Sequence, residues 1–347
     1  MSTVKGLCFI PAPITEPAAL VELLLVPVFA AHLLAVNVAS AGPLVCMWLE
    51  WRESRRGDQL AGQTGRYLAR QSMVMLTVGI ALGLLMTWQI WISGDHRFFD
   101  TFLGNEWLIR KLWWGVAELV FFYACMAAYL GLWHRLARWR SVHRLLAILA
   151  ATNLLYHFPT LFSVLTTVNL HPSLLEKGQA IDRASFLSLM GSVQVLSMVA
   201  HFLLASVAVV GILMMGYALR LIRQGADQAD AARIARYGGR FALVPTVLQL
   251  LVGLYVLFHL PRYSQGLLLG GDLLSTAMLA ASVLASIWLM HLLATVSLGE
   301  AERGPIIRSM ALLVLIVVLM TSTLQRAKHR TYEHLDGGQP VEQSDRD

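Results

Sequence analysis

The sequence predicts an all-α fold, a polytopic bundle of about eight transmembrane helices with the N-terminus outside. The first observation is composition: 57% of the 347 residues are hydrophobic and 14% are charged, against about 25% charged in an ordinary soluble domain. The second is a mean hydropathy of +0.61. The third is that arginines cluster in short connectors between long apolar runs. These features exclude a soluble enzyme, and they assign the net charge of +6 to membrane topology rather than to nucleic-acid binding.

Eight apolar runs approach or exceed the length needed to cross a bilayer, about 20 residues. They cover residues 20–48, 69–92, 108–133, 145–168, 188–219, 239–260, 272–297 and 306–324. Every connector is short, and no internal repeat is evident. We therefore expect a single transmembrane bundle over residues 1–325 and a polar, disordered tail over 326–347.

Alternate connectors are rich in arginine, and this asymmetry predicts the orientation. The first, third and fifth connectors hold the clusters, which are Arg52, Arg55, Arg56 and Arg66, then Arg135, Arg138 and Arg140, then Arg220, Arg223, Arg233, Arg236 and Arg240. The positive-inside rule places these connectors in the cytoplasm and both termini outside. Arg326, Lys328 and Arg330 in the tail oppose this orientation but are outnumbered. The predicted location is a bacterial cytoplasmic membrane.

Four ionisable side chains lie at one depth in four different spans. His32, Glu118, His157 and His201 are about 10–13 residues from the outer ends of their spans, about 15–20 Å deep at 1.5 Å per residue. An ionisable group inside a span needs a partner or a function. Neutral imidazole is a strong axial ligand for haem iron, and helical bundles hold such sites. The set predicts b-type haem, whereas any one histidine alone fits an inter-helix hydrogen bond as well.

Other residues fit a haem site less specifically. Gly79 and Gly83 form a small-xxx-small face that admits either a flat macrocycle or simply a close-packed helix. Haem propionates need cations at the outer surface, and those available are Arg97, Arg110, Lys111, Arg183 and Arg262. His259, at the outer end of the sixth span, is an equally good candidate for a ligand and for an interfacial side chain.

Several aromatic and histidine residues are predicted to face the surface. Trp107, Trp113 and Trp114 are typical of an interfacial aromatic belt. The connector and tail histidines, expected on the surface, are His96, His134, His143, His171, His329 and His334.

The helices also carry a family resemblance. The stretch Gly79-Ile-Ala-Leu-Gly83-Leu-Leu-Met86-Thr-Trp-Gln89 is similar to the Gly-x-Ala-x-Gly-x-x-Met-x-x-Gln stretch of subunit I of the cytochrome bd quinol oxidases. Residues 20–300 resemble that family in outline. The resemblance implies that His32 ligates a haem of the oxygen-reacting pair. It also implies that His201 and Met278 are the axial ligands of the low-spin b haem.

Departures from the family are equally informative. About a dozen residues, 261–271, replace the long external quinol loop. The eighth span, 309–324, contains no Asp or Glu where the family has an acidic haem ligand, and Glu118 stands where the family typically has two glutamates in a proton path. His157 is an extra histidine. We therefore expect His157 and His32 to clamp one haem from both sides, leaving no open position for oxygen.

The function predicted from these residues is electron transfer in a membrane. The chain is expected to hold two b haems, one of them between His201 and either Met278 or His259. It would exchange electrons between the quinone pool and a c-type cytochrome or another membrane subunit of a respiratory complex. Glu118 and Gln249 are candidates for carrying protons or binding quinol. The alternatives are a terminal quinol oxidase with an open-sided haem at His32, and a haem-free transporter or scaffold subunit.

Overall fold

The structure, a computed structural model, describes residues 17–93, 97–170, 181–299 and 302–336. Eight of its helices are long and apolar enough to cross a membrane, which confirms the predicted fold class. They are α1 (Pro17–Arg56), α2 (Gln59–Ile92), α4 (Glu106–Gly131), α5 (Arg140–Leu170), α7 (Val193–Arg223), α8 (Gln228–Phe258), α10 (Leu273–Leu298) and α11 (Arg303–Asp336). Three short helices lie in the predicted outer connectors: α3 (Arg97–Leu103), α6 (Arg183–Met190) and α9 (Arg262–Gly266).

Polar side chains begin most of the long helices. Asp58, Asn105, Ser192 and Asp227 each accept a hydrogen bond from a backbone N–H in the first turn of the helix that follows. Asp272 begins α10 in the same way. These caps satisfy N–H groups that have no partner within the helix.

The helices extend further than the apolar runs. The connector between α1 and α2 is reduced to residues 57–58, so the arginines predicted there lie on helix ends. A hydropathic run marks only the length of a helix that lies inside the bilayer. The helix continues beyond that length, because arginine is a good helix former in the polar region. Similarly, α11 continues to Asp336, so residues 326–336 are helical rather than disordered. Arg326 is held there by two hydrogen bonds to Asp272. Residues 337–347 of the predicted tail lie outside the described residues.

The eight long helices form two four-helix bundles of the same connectivity. In the first, α1 packs against α2 and α5, and α4 packs against α2 and α5. In the second, α7 packs against α8 and α11, and α10 packs against the same two helices. The bundles meet mainly where α1 packs against α7. The chain therefore contains an internal repeat that the sequence analysis did not find, because most of the repeat consists of interchangeable apolar residues.

A faint sequence match supports this repeat. The corresponding segments are 56–70 and 224–240, and each contains a glycine, an Asp-Gln pair at the start of a helix and an Arg-Tyr-x-x-Arg motif. The matching residues are Gly57, Asp58, Gln59, Arg66, Tyr67 and Arg70 in the first bundle, and Gly225, Asp227, Gln228, Arg236, Tyr237 and Arg240 in the second. Both glycines have positive φ, 65° and 82°, which glycine adopts without strain.

Contacts between the bundles are reciprocal. The ring of Tyr237 in α8 meets Trp48 of α1 at 5.5 Å, and the ring of Tyr67 in α2 stacks on Tyr217 of α7 at 4.0 Å. Between them, Ser206 of α7 donates a hydrogen bond to Asn37 of α1 at 2.8 Å. Reciprocal contacts of this kind are typical of an approximate two-fold axis, so α1 and α7 occupy equivalent positions.

The two ends of the molecule differ in packing. We call the half that carries the arginine-rich connectors the cytoplasmic half, and the other the outer half, following the orientation predicted from sequence. Buried side chains of α2, α7 and α8 concentrate in the cytoplasmic half, at 61–76, 206–221 and 231–246. Outward of these, none of residues 80–88, 198–205 or 247–258 is buried. The candidate site residues of these three helices lie in or beside this less closely packed region.

Candidate functional site

His32 lies between α1 and α2 in the outer half. Its Nδ1 donates a hydrogen bond to the carbonyl oxygen of Gly79 at 2.9 Å. A Cβ added to Gly83 would lie 3.1 Å from Cε1 of His32, so this glycine makes room for the ring. Within the described part of the chain, Nε2 has no hydrogen bond. A neutral imidazole fixed through Nδ1 presents its Nε2 lone pair, as metal-binding histidines commonly do.

His201 occupies the equivalent place between α7 and α8. Its Nε2 lies 3.1 Å from the side-chain amide of Gln249, and its buried Nδ1 has no hydrogen-bond partner among the described residues. An added Cβ on Gly253 would lie 3.7 Å from Cε1 of His201. Each of these two histidines therefore packs against a glycine of the next long helix and keeps one ring nitrogen free of hydrogen bonds.

His157 is bound differently. Its Nε2 lies 3.2 Å from the carbonyl oxygen of Lys111, and its Nδ1 lies 3.3 Å from the carboxylate of Glu118. A carbonyl oxygen can only accept, so Nε2 carries a proton. The contact with Glu118 then needs a second proton, held on either the imidazole or the carboxyl. This arrangement can hold and release a proton, but it leaves neither ring nitrogen for a metal.

The remaining predicted ligands are not brought together. His32 faces α2 and His157 faces α4, and no described contact joins them. His259 is exposed, and its Nδ1 donates to the carbonyl oxygen of Tyr255 in its own helix at 2.8 Å. Met278 is half-buried on α10, a helix that packs against α8 and α11. Neither residue has a described contact with His201.

The predicted outer cations partly converge. Arg110, Lys111 and Arg183 line a cavity of about 260 Å³ together with Trp107 and Trp114. An adjoining cavity of about 150 Å³ is lined by Lys111 and Arg183 and also by His157. The side chain of Arg97 lies outside the described residues, and Arg262 begins α9. A cationic mouth therefore opens beside the His157–Glu118 pair.

One group of functional side chains was missed. His143, expected on the surface, is buried, with 1% of its side chain exposed. Its Nδ1 lies 2.9 Å from Glu50, and its Nε2 donates to the carbonyl oxygen of Tyr129 at 2.7 Å. Tyr129 also donates its hydroxyl to Glu50. Position in a connector suggested exposure, but the residue lies in the first turn of α5 and packs between helices. Glu50 near the end of the first apolar run was the available signal.

The described residues include no group of three or more His, Cys, Asp or Glu side chains that could hold a metal ion. Haem has a smaller requirement, since the porphyrin supplies four ligands and the protein only one or two. His32 fits that requirement directly, since among the described residues its Nε2 lone pair is free beside Gly83. His201 fits it once the Gln249 side chain turns over or moves away, because the amide nitrogen at Nε2 donates to that atom and leaves the ring proton on the unpartnered Nδ1. His157 fits it only if it gives up a present contact.

Comparison with known proteins gives a structural match. No family model and no curated protein matches the chain. Among solved structures, it is similar to the bd oxidase from Geobacillus thermodenitrificans, with a TM-score of 0.70 and 14% sequence identity over 91% of this chain and 88% of that chain. At this identity the likeness establishes the fold. The chain is a multi-pass membrane protein with the fold of a bd oxidase chain.

Proposed function

We propose that this chain is a membrane-bound b-type cytochrome subunit of a respiratory complex in the bacterial cytoplasmic membrane. It transfers electrons between the quinone pool and a redox partner at the outer face, either a c-type cytochrome or another membrane subunit. One observation carries the proposal: His32 and His201 occupy equivalent places in two bundles, each beside a glycine and each with a ring nitrogen free of hydrogen bonds. The bd oxidase fold supports the respiratory context.

His32 and His201 are the residues proposed to hold two b haems, which when bound supply reversible one-electron chemistry. The hydrogen bond to Gly79 fixes the ring orientation of His32 and increases the basicity of its Nε2. Gln249 orients His201 in the second bundle. Met278 remains the proposed second ligand to His201. His259 is less favoured because it is exposed and bound to its own helix.

His157 and Glu118 are proposed to take up and release protons at the outer face. Quinol oxidation releases two protons for every two electrons, so a quinol-linked subunit needs an acceptor near the surface. The two groups lie 3.3 Å apart, and 27% of the Glu118 side chain is exposed. Lys111 and Arg183 line the adjoining cavity and place positive charge beside the pair.

A second candidate is a terminal quinol oxidase that reduces oxygen. The observation in its favour is that no described residue is placed as a second ligand for His32, so a haem there would keep an open side. Against it stand the short connector between α8 and α10 and the absence of acidic residues from 309–324. A haem at His32 would have an open side under both candidates, so the test is the reaction itself: quinol-driven oxygen consumption by the purified protein would support the oxidase, and its absence in a haem-loaded protein would support the electron-transfer subunit.

The test of the main proposal is the haem content of the purified full-length protein. We expect a Soret band and two b haems per chain, with about one lost in His32→Ala and one in His201→Ala. His259→Ala is the matched control and should retain both. A redox titration should show one of two waves missing in each variant, while circular dichroism and thermal unfolding report whether the variant is folded. A folded wild-type protein without a Soret band would overturn the proposal.

A further inference from the structure

A third cavity lies at the opposite end of the molecule, away from every candidate haem residue. It has a volume of about 550 Å³ and sits where the end of α1, the start of α2 and the start of α8 meet. Its charged lining residues are Arg52, Arg56, Asp58, Asp230 and Arg233. Three arginines face two aspartates, so the lining carries an excess of one positive charge.

The innermost groups of this cavity form a connected network. Arg52 donates to the hydroxyl of Tyr237, which in turn donates to Asp58 at 3.2 Å. Arg52 and Arg233 each lie 3.6 Å from Asp58. Asp58 is therefore fully engaged, and it also caps α2. The Nε atoms of Arg52 and Arg233 are buried and make no hydrogen bond with the described residues. The Nε of Arg52 faces Asp58 at 3.6 Å, so its interaction with that carboxylate is electrostatic rather than a hydrogen bond.

Two further features favour an anion. Gln59 and Leu60, in the first turn of α2, line the cavity, so the positive end of a 34-residue helix dipole points at this region. Arg56 makes no ion pair within the described part of the chain, and its guanidinium lies 5.9 Å from the ring of Trp51. Arg56 therefore supplies the one positive charge of the cavity lining that no carboxylate of the described residues neutralises.

The depth of the cavity indicates the source of the anion. Arg52 and Arg56 lie within about two helical turns of the end of the apolar run 20–48, which is the depth of lipid headgroups. Trp51, with 38% of its surface exposed, is typical of that level. Basic pockets between helices on the cytoplasmic side suit phosphate-bearing headgroups.

We propose that this cavity binds a phosphate group, presented by an anionic phospholipid of the cytoplasmic leaflet. Arg56 and Arg233 bind the phosphate oxygens, and Arg52, held by Tyr237, sets the depth to which the group enters. Asp230 opposes binding, because its carboxylate is negative and competes with the phosphate for Arg233, which it pairs with at 2.9 Å. Its side chain is 48% exposed. The site is independent of haem and of the electron-transfer proposal.

The test is thermal unfolding of the purified full-length protein titrated with three probes: short-chain phosphatidylglycerol, short-chain phosphatidylcholine and inorganic phosphate. A ligand that binds only the folded state raises the unfolding temperature with saturation. Phosphatidylglycerol should do so more strongly than phosphatidylcholine. If inorganic phosphate alone gives the same saturable rise, the site stands and free phosphate is its occupant.

Matched variants locate the effect. Arg56→Gln should weaken phosphatidylglycerol binding about tenfold, the loss expected for one charge-assisted hydrogen bond. Arg55→Gln, the same change one residue away and outside the cavity lining, should leave binding unchanged. Asp230→Asn should tighten binding, an effect of opposite sign that damage to the fold would not produce. The proposal fails if neither phosphatidylglycerol nor phosphate binds, or if Arg55→Gln and Arg56→Gln behave alike.

Discussion

The histidines of two carboxylate–imidazole pairs lie on α5, one in each half of the bundle, and the two pairs differ in enclosure; Glu50 lies on α1 and Glu118 on α4. In the cytoplasmic half, Glu50 and His143 have 0% and 1% of their side chains exposed. In the outer half, Glu118 and His157 have 27% and 11% exposed. Both histidines also contact a carbonyl oxygen of α4. The enclosed pair joins helices, whereas the more exposed pair is the one proposed to exchange protons.

The surroundings of the two pairs reinforce this difference. Arg140 and Arg144 lie 3.6 and 3.7 Å from Glu50, and Tyr129 stacks on His143 at 4.2 Å. A buried charge with this many partners is retained only while all of them stay in place. The outer pair borders a cavity instead of being enclosed by arginine and tyrosine side chains.

The largest expected effect comes from removing the enclosed carboxylate. Glu50→Ala should lower the free energy of unfolding by about 3–5 kcal/mol, because it leaves His143 and Tyr129 buried without their acceptor. Glu118→Ala, the matched change in the outer half, should lower it by less than about 1 kcal/mol, since the group is partly exposed. Unfolding by denaturing detergent, followed by circular dichroism, measures both. Equal losses would remove the distinction between the halves.

A smaller effect is expected from glycines at helix crossings. An added Cβ on Gly211 would lie 2.6 Å from backbone atoms of Gly238 and Ala242, which cannot move without separating α7 from α8. Gly211→Ala should therefore destabilise the protein by about 1–3 kcal/mol. Gly253→Ala lies in the outer half, where the added Cβ makes an ordinary contact with His201. It should leave the unfolding temperature nearly unchanged; if it costs as much as Gly211→Ala, the outer half is packed more tightly than its exposure indicates.

The smallest effect concerns the outer connector before α10. Hydrogen bonds from Arg326, together with those from Ser275, hold the pKa of Asp272 well below its usual range. Asp272→Asn should lower stability by about 1 kcal/mol at pH 7 through the loss of a charged helix cap.

The pH dependence of this last change has a definite sign. Because the folded-state pKa of Asp272 is depressed, its stabilisation is complete above the ordinary carboxyl pKa of about 4 and is lost as the pH falls below it. Unfolding temperatures of the wild type and Asp272→Asn, measured from pH 7 to pH 3, should begin to converge below about pH 4 and continue to do so as the pH falls toward the depressed folded-state pKa. A difference that stays constant over this range would show that the Arg326 pair does not act through charge.

Much of the fold could be predicted because each span is a local property. Twenty consecutive apolar residues mark a crossing whichever helix lies next to them. The predicted orientation, which stays a prediction, rests on arginine counts that are local in the same way. The histidines inside spans were also visible, since an imidazole in an apolar run stands out. His143 was misassigned because its hydropathic neighbourhood, between Arg140 and Arg144, is that of a surface connector.

Pairing was not predictable, because it depends on how each helix is rotated about its axis. His32 and His157 lie at similar depth, yet one faces α2 and the other α4. The repeat that makes His32 and His201 equivalent rests on reciprocal contacts, such as Tyr67 with Tyr217, between residues far apart in the chain.

The sequence by itself predicted eight membrane spans, the orientation of the arginine-rich ends, and the ionisable groups that lie inside the apolar runs; the structure confirms eight helices long and apolar enough to cross a membrane. Only the tertiary structure decided which of those groups lie in contact, which ring nitrogens make no hydrogen bond, and where three arginines line a cavity. The reason is physical: transfer into lipid depends on the composition of a single segment, whereas hydrogen bonds, ion pairs and cavities exist only between segments.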